Sequence, residues 1–308
     1  MRAGTSALQR RRPSFVSREG VAAYLFLSPW LIGFLVFITF PLMASIYYSL
    51  TDWDLLTRPR WYGFRNFIKL MEDRLFWKSL RVTLTYAAMR VPAGILFGLG
   101  LAMVLNSQMV LGKSLFRTLY YMPAVLPPVA VSLMWSWIFC PQDGILNNFL
   151  ALFGVKGLLW IQSETLVLPS FLMMAIWSLM GKNMLVYLAG LNGIPPQLLE
   201  AAAIDGSTPW RTFWRIKIPM LTPVLFYELV MTMIESFKIF TQAYIMTEGG
   251  PRNASMFYVY YLYRNAFQYY QMGYASAMAW VMFLIILAFT LLIFKSSNRW
   301  VYYEAGTK

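Results

Sequence analysis

Four charged side chains lie inside long apolar stretches of this sequence, and their chemistry needs an explanation. They are Arg90, Lys182, Glu235 and Lys238. In a helix that crosses a membrane, a central charge costs about 2.5 to 3.5 kcal/mol on insertion scales, so such residues mark ion pairs or polar cavities. Glu235 and Lys238 are three residues apart and would share a helix face, where they could neutralise one another. Lys182 has no acidic neighbour at helical spacing, so its partner must lie on another helix, a companion chain, trapped water or a ligand.

The familiar catalytic motifs are absent. Gly112-Lys113-Ser114 resembles the end of a phosphate-binding loop, but Ser107 stands at the first glycine position and an apolar helix precedes it instead of a strand. No nucleophile elbow or zinc-protease motif occurs. With Cys140 as the single cysteine and no histidine, we predict neither an internal disulfide nor a metal site. The chain is therefore predicted to be non-catalytic.

The composition predicts an all-α integral membrane protein. Hydrophobic residues make up 59% of the 308 residues and charged residues only 13%, against roughly 25% charged in soluble domains. About six apolar windows are long enough to cross the bilayer as helices. They cover residues 22–48, 82–105, 116–140, 166–190, 218–246 and 274–295. The first window is too long for a signal peptide and is predicted to remain as an uncleaved span.

Basic residues near the ends of these windows predict the orientation. They precede the first window, follow the second and the last, and lie between the fourth and fifth, which puts them on one side if both termini are cytoplasmic. The basic residues are Arg2, Arg10, Arg11, Arg12, Arg18, Lys113, Arg117, Arg211, Arg215, Lys217, Lys295 and Arg299. The net charge of +13 is scattered over the loops and largely explained by orientation, so we predict no nucleic-acid partner.

The loop between the first and second windows, on the side opposite the termini, is also basic, which the positive-inside rule does not predict. It carries six basic residues diluted by four acidic ones, and we predict that it is a partly amphipathic segment lying along the membrane surface. Its aromatic residues would anchor it at the interface. The basic residues are Arg58, Arg60, Arg65, Lys69, Arg74 and Lys78, and the predicted anchors are Trp53, Trp61, Tyr62, Phe64, Phe67 and Trp77.

A polar helix-turn-helix pattern lies between the fourth and fifth windows and predicts a docking surface. Glu200 precedes three alanines that favour helix and leave room for another protein to approach closely. Gly206 supplies a left-handed stop. Thr208 and Pro209 can start the next helix, since threonine caps free amides and proline lacks the amide that would go unpaired.

The spacing from Glu200 through Gly206 to Ile216-Lys217-Ile218-Pro219 resembles the cytoplasmic loop of importer-type ABC permeases. Further motifs follow in the order found in the carbohydrate-uptake branch of that family, which contains the larger maltose permease and the glycerol-3-phosphate permease. The motifs are Tyr120-Tyr121-Met122-Pro123, Leu188-Ala189-Gly190-Leu191, Ile194-Pro195, Met246-Thr247-Glu248-Gly249-Gly250-Pro251 and Gly273-Tyr274-Ala275-Ser276-Ala277. Together they span roughly residues 22 to 297.

The resemblance implies a type I ABC importer permease in a bacterial inner membrane. It implies a second permease, two ATPase subunits that hold ATP and magnesium, and an extracytoplasmic solute-binding protein that delivers a carbohydrate. Residues 191–217 would form the ATPase-coupling loop within a transmembrane domain of residues 21–297, between cytoplasmic segments at 1–20 and 298–308. The implied coupling residues are Glu200, Ala201, Ala202, Asp205, Gly206 and Pro219.

The resemblance also implies a substrate pathway. Trp177 falls where the maltose permease stacks a tryptophan on sugar, and Lys182 falls where that protein has a tyrosine. Lys238 likewise replaces an amide-bearing residue. We include Asn183, Glu235 and Ser236 in this predicted pathway. Two added ammonium groups would suit an anionic carbohydrate, such as a uronate oligosaccharide of the alginate or pectin type, or a sugar phosphate.

One alternative from another functional class is a self-sufficient secondary transporter or channel. Such a protein more often shows matched internal repeats with its own ion-coupling carboxylates, and no such repeat is evident in the sequence. A docking loop also has no purpose without a partner. The sequence therefore favours the ATP-coupled permease.

Overall fold

The computed structural model describes residues 18–107 and 109–302, and within them the chain is almost entirely helical. A single two-stranded antiparallel ribbon pairs Thr51 with Trp61 and Asp52 with Arg60. The helices are α1 (Arg18–Phe34), α2 (Phe40–Ser49), α3 (Arg65–Glu72), α4 (Arg74–Asn106), α5 (Lys113–Val125), α6 (Pro128–Ile138), α7 (Ile145–Ala151), α8 (Val167–Asn192), α9 (Pro196–Ile204), α10 (Pro209–Thr212), α11 (Ile218–Phe237), α12 (Tyr258–Tyr263) and α13 (Met272–Ser297). The strands are β1 (Thr51–Asp52) and β2 (Arg60–Trp61).

Four π-helical turns interrupt or extend these helices. Leu35–Thr39 joins α1 to α2, so the two form one continuous span over Val21–Ser49. The others are Phe213–Lys217, Ala243–Thr247 and Arg264–Gln268. The predicted terminal segments 1–20 and 298–308 lie mostly outside the described residues, so the predicted domain boundaries stay predictions.

The number of membrane spans agrees with the prediction, and the all-α fold class is confirmed. Within the part of the chain that the structure describes, five helical stretches are long and apolar enough to cross a bilayer: Val21–Ser49, Arg74–Asn106, Val167–Asn192, Pro209–Phe237 and Met272–Ser297. A sixth span arises only if α5 and α6 are counted together.

The third predicted span, 116–140, is wrong as a single helix. α5 and α6 meet at a bend of 99°, and Tyr120 to Pro123 lie near the end of α5 instead of opening a span. Pro127 and Pro128 cause the break because proline has no amide to donate and disfavours helical geometry in the residue before it. Leu126 accordingly has an extended backbone, with φ −70° and ψ 139°.

The fifth predicted span, 218–246, also ends early. α11 stops at Phe237, and the Lys238 amide donates to the Glu235 carbonyl at 3.2 Å, a tightened last turn. Within the same turn the Ser236 hydroxyl donates to the Thr232 carbonyl at 2.6 Å. Such a side-chain bond competes with the backbone hydrogen bond to that carbonyl and often bends a helix. Lys238 therefore lies just past the last residue of α11, and it is exposed while its neighbours Phe237 and Ile239 are buried.

The centre of the bundle is formed by α4, α8 and α11, with α5 against α8 and α2 against α13. Small residues permit the closest of these contacts. At Gly181 of α8, an added Cβ would lie 1.9 Å from the Tyr120 carbonyl oxygen of α5, so any side chain there would force the helices apart. The apolar α4, α8 and α11 residues around Tyr187 and Leu221 are fully buried, which fixes the three helices that carry the charged residues.

At the end of the bundle opposite α9, Asp73 ties three elements together. Its Oδ1 accepts the Leu75 amide at 2.8 Å and caps α4. Its Oδ2 accepts the hydroxyls of Tyr261 at 2.5 Å and Tyr274 at 2.6 Å. Burial opposes ionisation of this carboxyl, but the two hydroxyls and the α4 amides outweigh it and hold the pKa of Asp73 below its usual value of 3.8.

We predict that Asp73→Asn lowers the free energy of unfolding by on the order of 1 to 3 kcal/mol, because hydrogen bonds to a charged acceptor are lost. A lowered pKa stabilises the fold above pH 3.8, and this contribution disappears as the pH falls below 3.8 through the native pKa. Thermal unfolding of the wild type and the variant should therefore converge in acid. The neighbouring exposed Glu72→Gln is the control, and an equal loss there would contradict the assignment.

Candidate functional site

A cluster of three charged side chains forms at the middle of the bundle, one from each central helix. Arg90 is the central residue of α4, which runs from Arg74 to Asn106. Its Nη2 donates to Glu235 Oε2 of α11 at 3.1 Å. The Nζ of Lys182 on α8 donates to Glu235 Oε1 at 3.3 Å. One carboxylate is thus shared by two cations, and each oxygen serves one of them.

The three side chains differ in their access to solvent. Arg90 is 10% exposed at its side chain, Glu235 34% and Lys182 48%. The buried guanidinium needs the carboxylate, because a charge left unpaired in the interior is costly. The half-exposed ammonium can reach solvent or another partner. The cluster carries one net positive charge, and the buried Arg90 Nε has no hydrogen-bond partner among the described residues.

The predicted neutralisation of Glu235 by Lys238 is wrong. Glu235 pairs with Arg90 and Lys182 instead. Because α11 ends at Phe237, Lys238 does not continue the helical face that the prediction assumed. Within residues 18–107 and 109–302, no acidic side chain lies within ion-pair distance of Lys238, which is exposed. The partner that the sequence required for Lys182 is supplied by another helix.

One cavity reaches this cluster, and a larger hollow lies between α5 and α8. A cavity of about 170 Å³ has Arg90 in its wall together with the polar side chains Ser178 and Gln242. Its other walls are apolar and come from the α5–α6 bend and from α8, including Pro123, Leu126, Pro128, Val131, Met174 and Leu179. A second hollow of about 320 Å³ is lined by Phe116, Leu119, Tyr120, Pro123, Trp177 and Met180. The broken third span thus lines both spaces.

Trp177 is half-buried on α8 and lines the larger hollow. Its ring meets that of Trp135 edge to face, with centroids 5.8 Å apart. Trp135 is 7% exposed, so it packs in the interior, whereas Trp137, two residues on, is 83% exposed. Trp177 therefore has one supported edge and a ring in contact with open space, which suits stacking.

Asn183 and Ser236 lie deeper than the prediction required. Asn183 is 6% exposed and faces the close approach of α4 at Gly94. Ser236 is fully buried and its hydroxyl is used by the Thr232 carbonyl. Asn183 also lines a narrow gap that it shares with Arg90, and neither residue lines the larger hollow.

The sequence prediction did not include Glu228. Like Glu235, it is a charged residue inside the apolar window 218–246, and that criterion could have found it. Glu228 is 3% exposed and lies two turns from Glu235 on α11. Tyr187, fully buried on α8, has a hydroxyl with no hydrogen-bond partner among the described residues. The polar interior of the bundle therefore extends from the charge cluster toward the α9 end.

The docking loop folds as an exposed helix with the predicted stop. α9 ends at Ile204, and Gly206 has φ +68°. The Gly206 amide donates to the Ala203 carbonyl at 3.1 Å and the Ser207 amide to the Ala202 carbonyl at 2.9 Å. These are the bonds of a left-handed helix stop, which glycine adopts without steric cost.

The exposed face of α9 includes most of the predicted coupling residues. Glu200, Ala201, Asp205 and Gly206 are exposed, whereas Ala202 is buried. Ile204, an apolar residue at the tip, is 87% exposed. The Thr208 hydroxyl accepts the Arg211 amide at 3.3 Å and caps α10, and Pro219 lies in the first turn of α11. The loop thus presents a rigid helix at one end of the bundle.

The fold is that of a type I ABC importer permease. In the crystal structure of a bacterial ABC transporter involved in the import of the acidic polysaccharide alginate, one chain superposes with a TM-score of 0.80. The match covers 92% of this chain and 96% of that one at 24% sequence identity. At that identity the likeness shows the fold alone.

The sequence comparisons give the family. Residues 94–301 match the model of the binding-protein-dependent transport system inner membrane component, and the chain belongs to this family. The probable ABC transporter permease YesP of Bacillus subtilis is 42% identical over 307 residues, covering 98% of each chain. The trehalose/maltose transport system permease MalF of Thermococcus litoralis is 30% identical over 282 residues, covering 90% of this chain and 94% of that protein.

We predict that Glu235→Ala destabilises the protein more than Lys238→Met does. Removing Glu235 leaves the buried Arg90 unpaired, a loss of about 3 kcal/mol for breaking a buried pair from one side, whereas Lys238 has no pair to break. The check is the thermal unfolding midpoint of each purified variant in detergent. A loss with Lys238→Met equal to that with Glu235→Ala would show that the cluster does not hold the central helices.

Proposed function

We propose that this chain forms, with a second permease, the membrane pathway of an ATP-driven importer for an oligosaccharide. A solute-binding protein outside the membrane would deliver the sugar. The family description, binding-protein-dependent transport, supports the delivery step. The trehalose/maltose permease among the relatives supports a carbohydrate cargo. Membership of this family weighs against the alternative of a self-sufficient transporter or channel.

The observation that carries the proposal is the exposed α9 helix with its fixed glycine stop. A short rigid helix projecting from the end of a membrane bundle, with small residues on its surface, suits insertion into a cleft of another protein. The occupant we propose is an ATPase subunit, and a pair of these would bind ATP and magnesium. Motion of the ATPases would then reach the central helices through α9 and α11.

We further propose that both termini are cytoplasmic, on the same side as α9. The support is the distribution of basic residues near the span ends, several of which lie outside the described residues. Single cysteines at Ser6 and Ser296, in a Cys140→Ser background, should resist a membrane-impermeant thiol reagent in intact spheroplasts. Rapid labelling at either position would overturn this topology.

The charge cluster supports an acidic cargo. Arg90 and Lys182 together exceed the single charge of Glu235, and the exposed Lys238, which forms no ion pair among the described residues, adds a further cation. Lys182 is half-exposed, so its ammonium can bond a carboxylate or phosphate on a ligand. Trp177 lies five residues before Lys182 on α8, with its ring against the larger hollow. An oligosaccharide that reaches both residues could stack one sugar ring on Trp177 and pair the acid group of another with Lys182.

We predict that Gly206→Pro and Glu200→Lys uncouple ATP hydrolysis from transport. Gly206 needs positive φ, which proline cannot adopt, so α9 would lose its stop, and Glu200→Lys reverses an exposed charge on the docking helix. The measurement is substrate-stimulated ATP hydrolysis and uptake by the reconstituted importer. Lys156→Gln, an exposed position at the far end of the bundle, is the control. Normal stimulation and uptake in both loop variants would contradict the coupling assignment.

We predict that Lys182→Met and Lys238→Met selectively weaken uptake of a uronate oligosaccharide compared with its neutral counterpart. A hydrogen bond between charged groups is worth about 1.5 to 3 kcal/mol, so the loss should be roughly tenfold to a hundredfold. Trp177→Ala should instead impair both sugars.

Assembly of the variant complexes is checked by co-purification of the subunits. A wild-type preference for the neutral sugar would refute the acidic cargo. Loss of uptake only through failed assembly would assign the two lysines a structural role instead.

A further inference from the structure

One face of the short helix α3 is fixed to the bundle at the end opposite α9. The buried Asn66 side chain donates to the carbonyls of Ser49 at 2.9 Å and Thr51 at 2.8 Å. Leu70, one turn further on, is fully buried. These contacts hold α3 against the end of α2, so its orientation is set by the fold.

The opposite face of α3 is apolar and uncovered. Phe64 is 71% exposed, Ile68 59% and Met71 54%, and their spacing of four and three residues puts them on one side of the helix. Trp61 and Trp77 extend the row at 68% and 48% exposure. We call these five residues the α3 stripe.

The α3 stripe lies at the level where two membrane spans end. The Lys69 Nζ donates to Gln271 Oε1 at 2.9 Å, directly before α13 begins at Met272. The Gly273 amide donates to the Trp53 carbonyl at 3.2 Å. An apolar helix face at this depth meets the boundary between the hydrocarbon core and the headgroups.

The stripe continues onto the surface of a span. The Trp61 ring lies 6.4 Å from that of Tyr47, which is 49% exposed on α2. α2 belongs to the first span, whose most apolar window has no buried residue in this chain. The exposed apolar surface of the first span therefore reaches the Trp61 end of the stripe.

Unpaired arginines border the stripe. Arg58, Arg60, Arg65 and Arg74 are all exposed, and within the described residues none forms an ion pair. Asp54 accepts from the Thr57 hydroxyl at 2.7 Å and Asp73 accepts from tyrosines. Asp52 stands opposite Arg60 in the ribbon, and the Arg65 guanidinium lies over the Tyr62 ring, 5.2 Å from its centroid. In the part of the chain that the structure describes, no carboxylate holds any of the four guanidinium groups, so they can bond phosphate.

From this arrangement we infer that α3 is an interfacial helix that binds anionic lipid headgroups, with its stripe in the acyl region and its arginines on the phosphates. This ligand is independent of the transported cargo. Headgroup binding also explains why the loop between the first two spans carries six basic residues, although the positive-inside rule disfavours them on that side of the membrane. In the sequence these residues contradict the rule, and in the structure they surround a membrane-binding face.

The insertion is tested by spin labels in the assembled importer, reconstituted in vesicles of phosphatidylcholine and phosphatidylglycerol. Labels at Ile68→Cys and, as a matched control on the polar side of the same helix, Lys69→Cys are placed in a Cys140→Ser background. The Ile68 label should be more accessible to oxygen than to a water-soluble nickel reagent, and the Lys69 label the reverse. Greater access of nickel than of oxygen at Ile68 would overturn the proposal. Shielding of Ile68 from both reagents would also overturn it, and would assign the stripe to a protein partner.

The headgroup contact is tested by lipid retention. Arg60→Gln and Arg65→Gln should each lower the ratio of retained phosphatidylglycerol to phosphatidylcholine about fivefold, the equivalent of the roughly 1 kcal/mol that one basic residue contributes near an anionic surface. Lys156→Gln is the control at the same end of the bundle. An unchanged ratio in both arginine variants, or an equal fall with Lys156→Gln, would refute a specific headgroup site.

Discussion

The central constraint on this protein is the cost of placing a charge at the middle of a membrane span. Arg90 occupies the midpoint of α4 and is almost entirely buried, so its guanidinium requires a carboxylate at one height on a neighbouring helix. Glu235 supplies it from the last turn of α11. This ion pair fixes how far along its axis α11 packs against α4. Lys182 of α8 binds the same carboxylate and so ties a third helix to the pair.

Close packing against α5 fixes the position of α8, whereas the Lys182 side chain on α8 remains half-exposed. Gly181 brings α8 within touching distance of α5, so the helix carrying Trp177 and Lys182 cannot shift without moving the broken third span. Lys182 itself remains half-exposed. The buried arginine thus serves structure, and the accessible lysine beside it is the group we propose for recognition.

The sequence predicted the spans, the docking loop and its glycine stop because each depends on local chemistry. Apolar length predicts spans, and the positive φ at Gly206 follows from the residue type. It did not predict which charges meet, because the Arg90–Glu235 contact joins residues 145 positions apart. Spacing suggested Lys238 as the partner of Glu235, and only the early end of α11 shows why that local pair does not form.

The break between α5 and α6 shows a different limit. The two prolines were visible in the sequence, but hydropathy averaged over a window cannot separate one span from two short helices that share it. The depth of Asn183 and Ser236 was likewise invisible, since a polar residue at helical spacing can line a pathway or pack inside. Both residues are buried, and their place in the substrate pathway stays a prediction.

The central claim is that an acidic sugar meets Lys182 beside the Trp177 ring. Its most direct test is a structure of the assembled importer with a uronate oligosaccharide trapped in the membrane pathway. The account predicts a sugar ring stacked on Trp177 and a carboxylate within hydrogen-bond distance of the Lys182 Nζ. A sugar bound in the pathway that touches neither residue, with Lys182 still paired to Glu235, would contradict it.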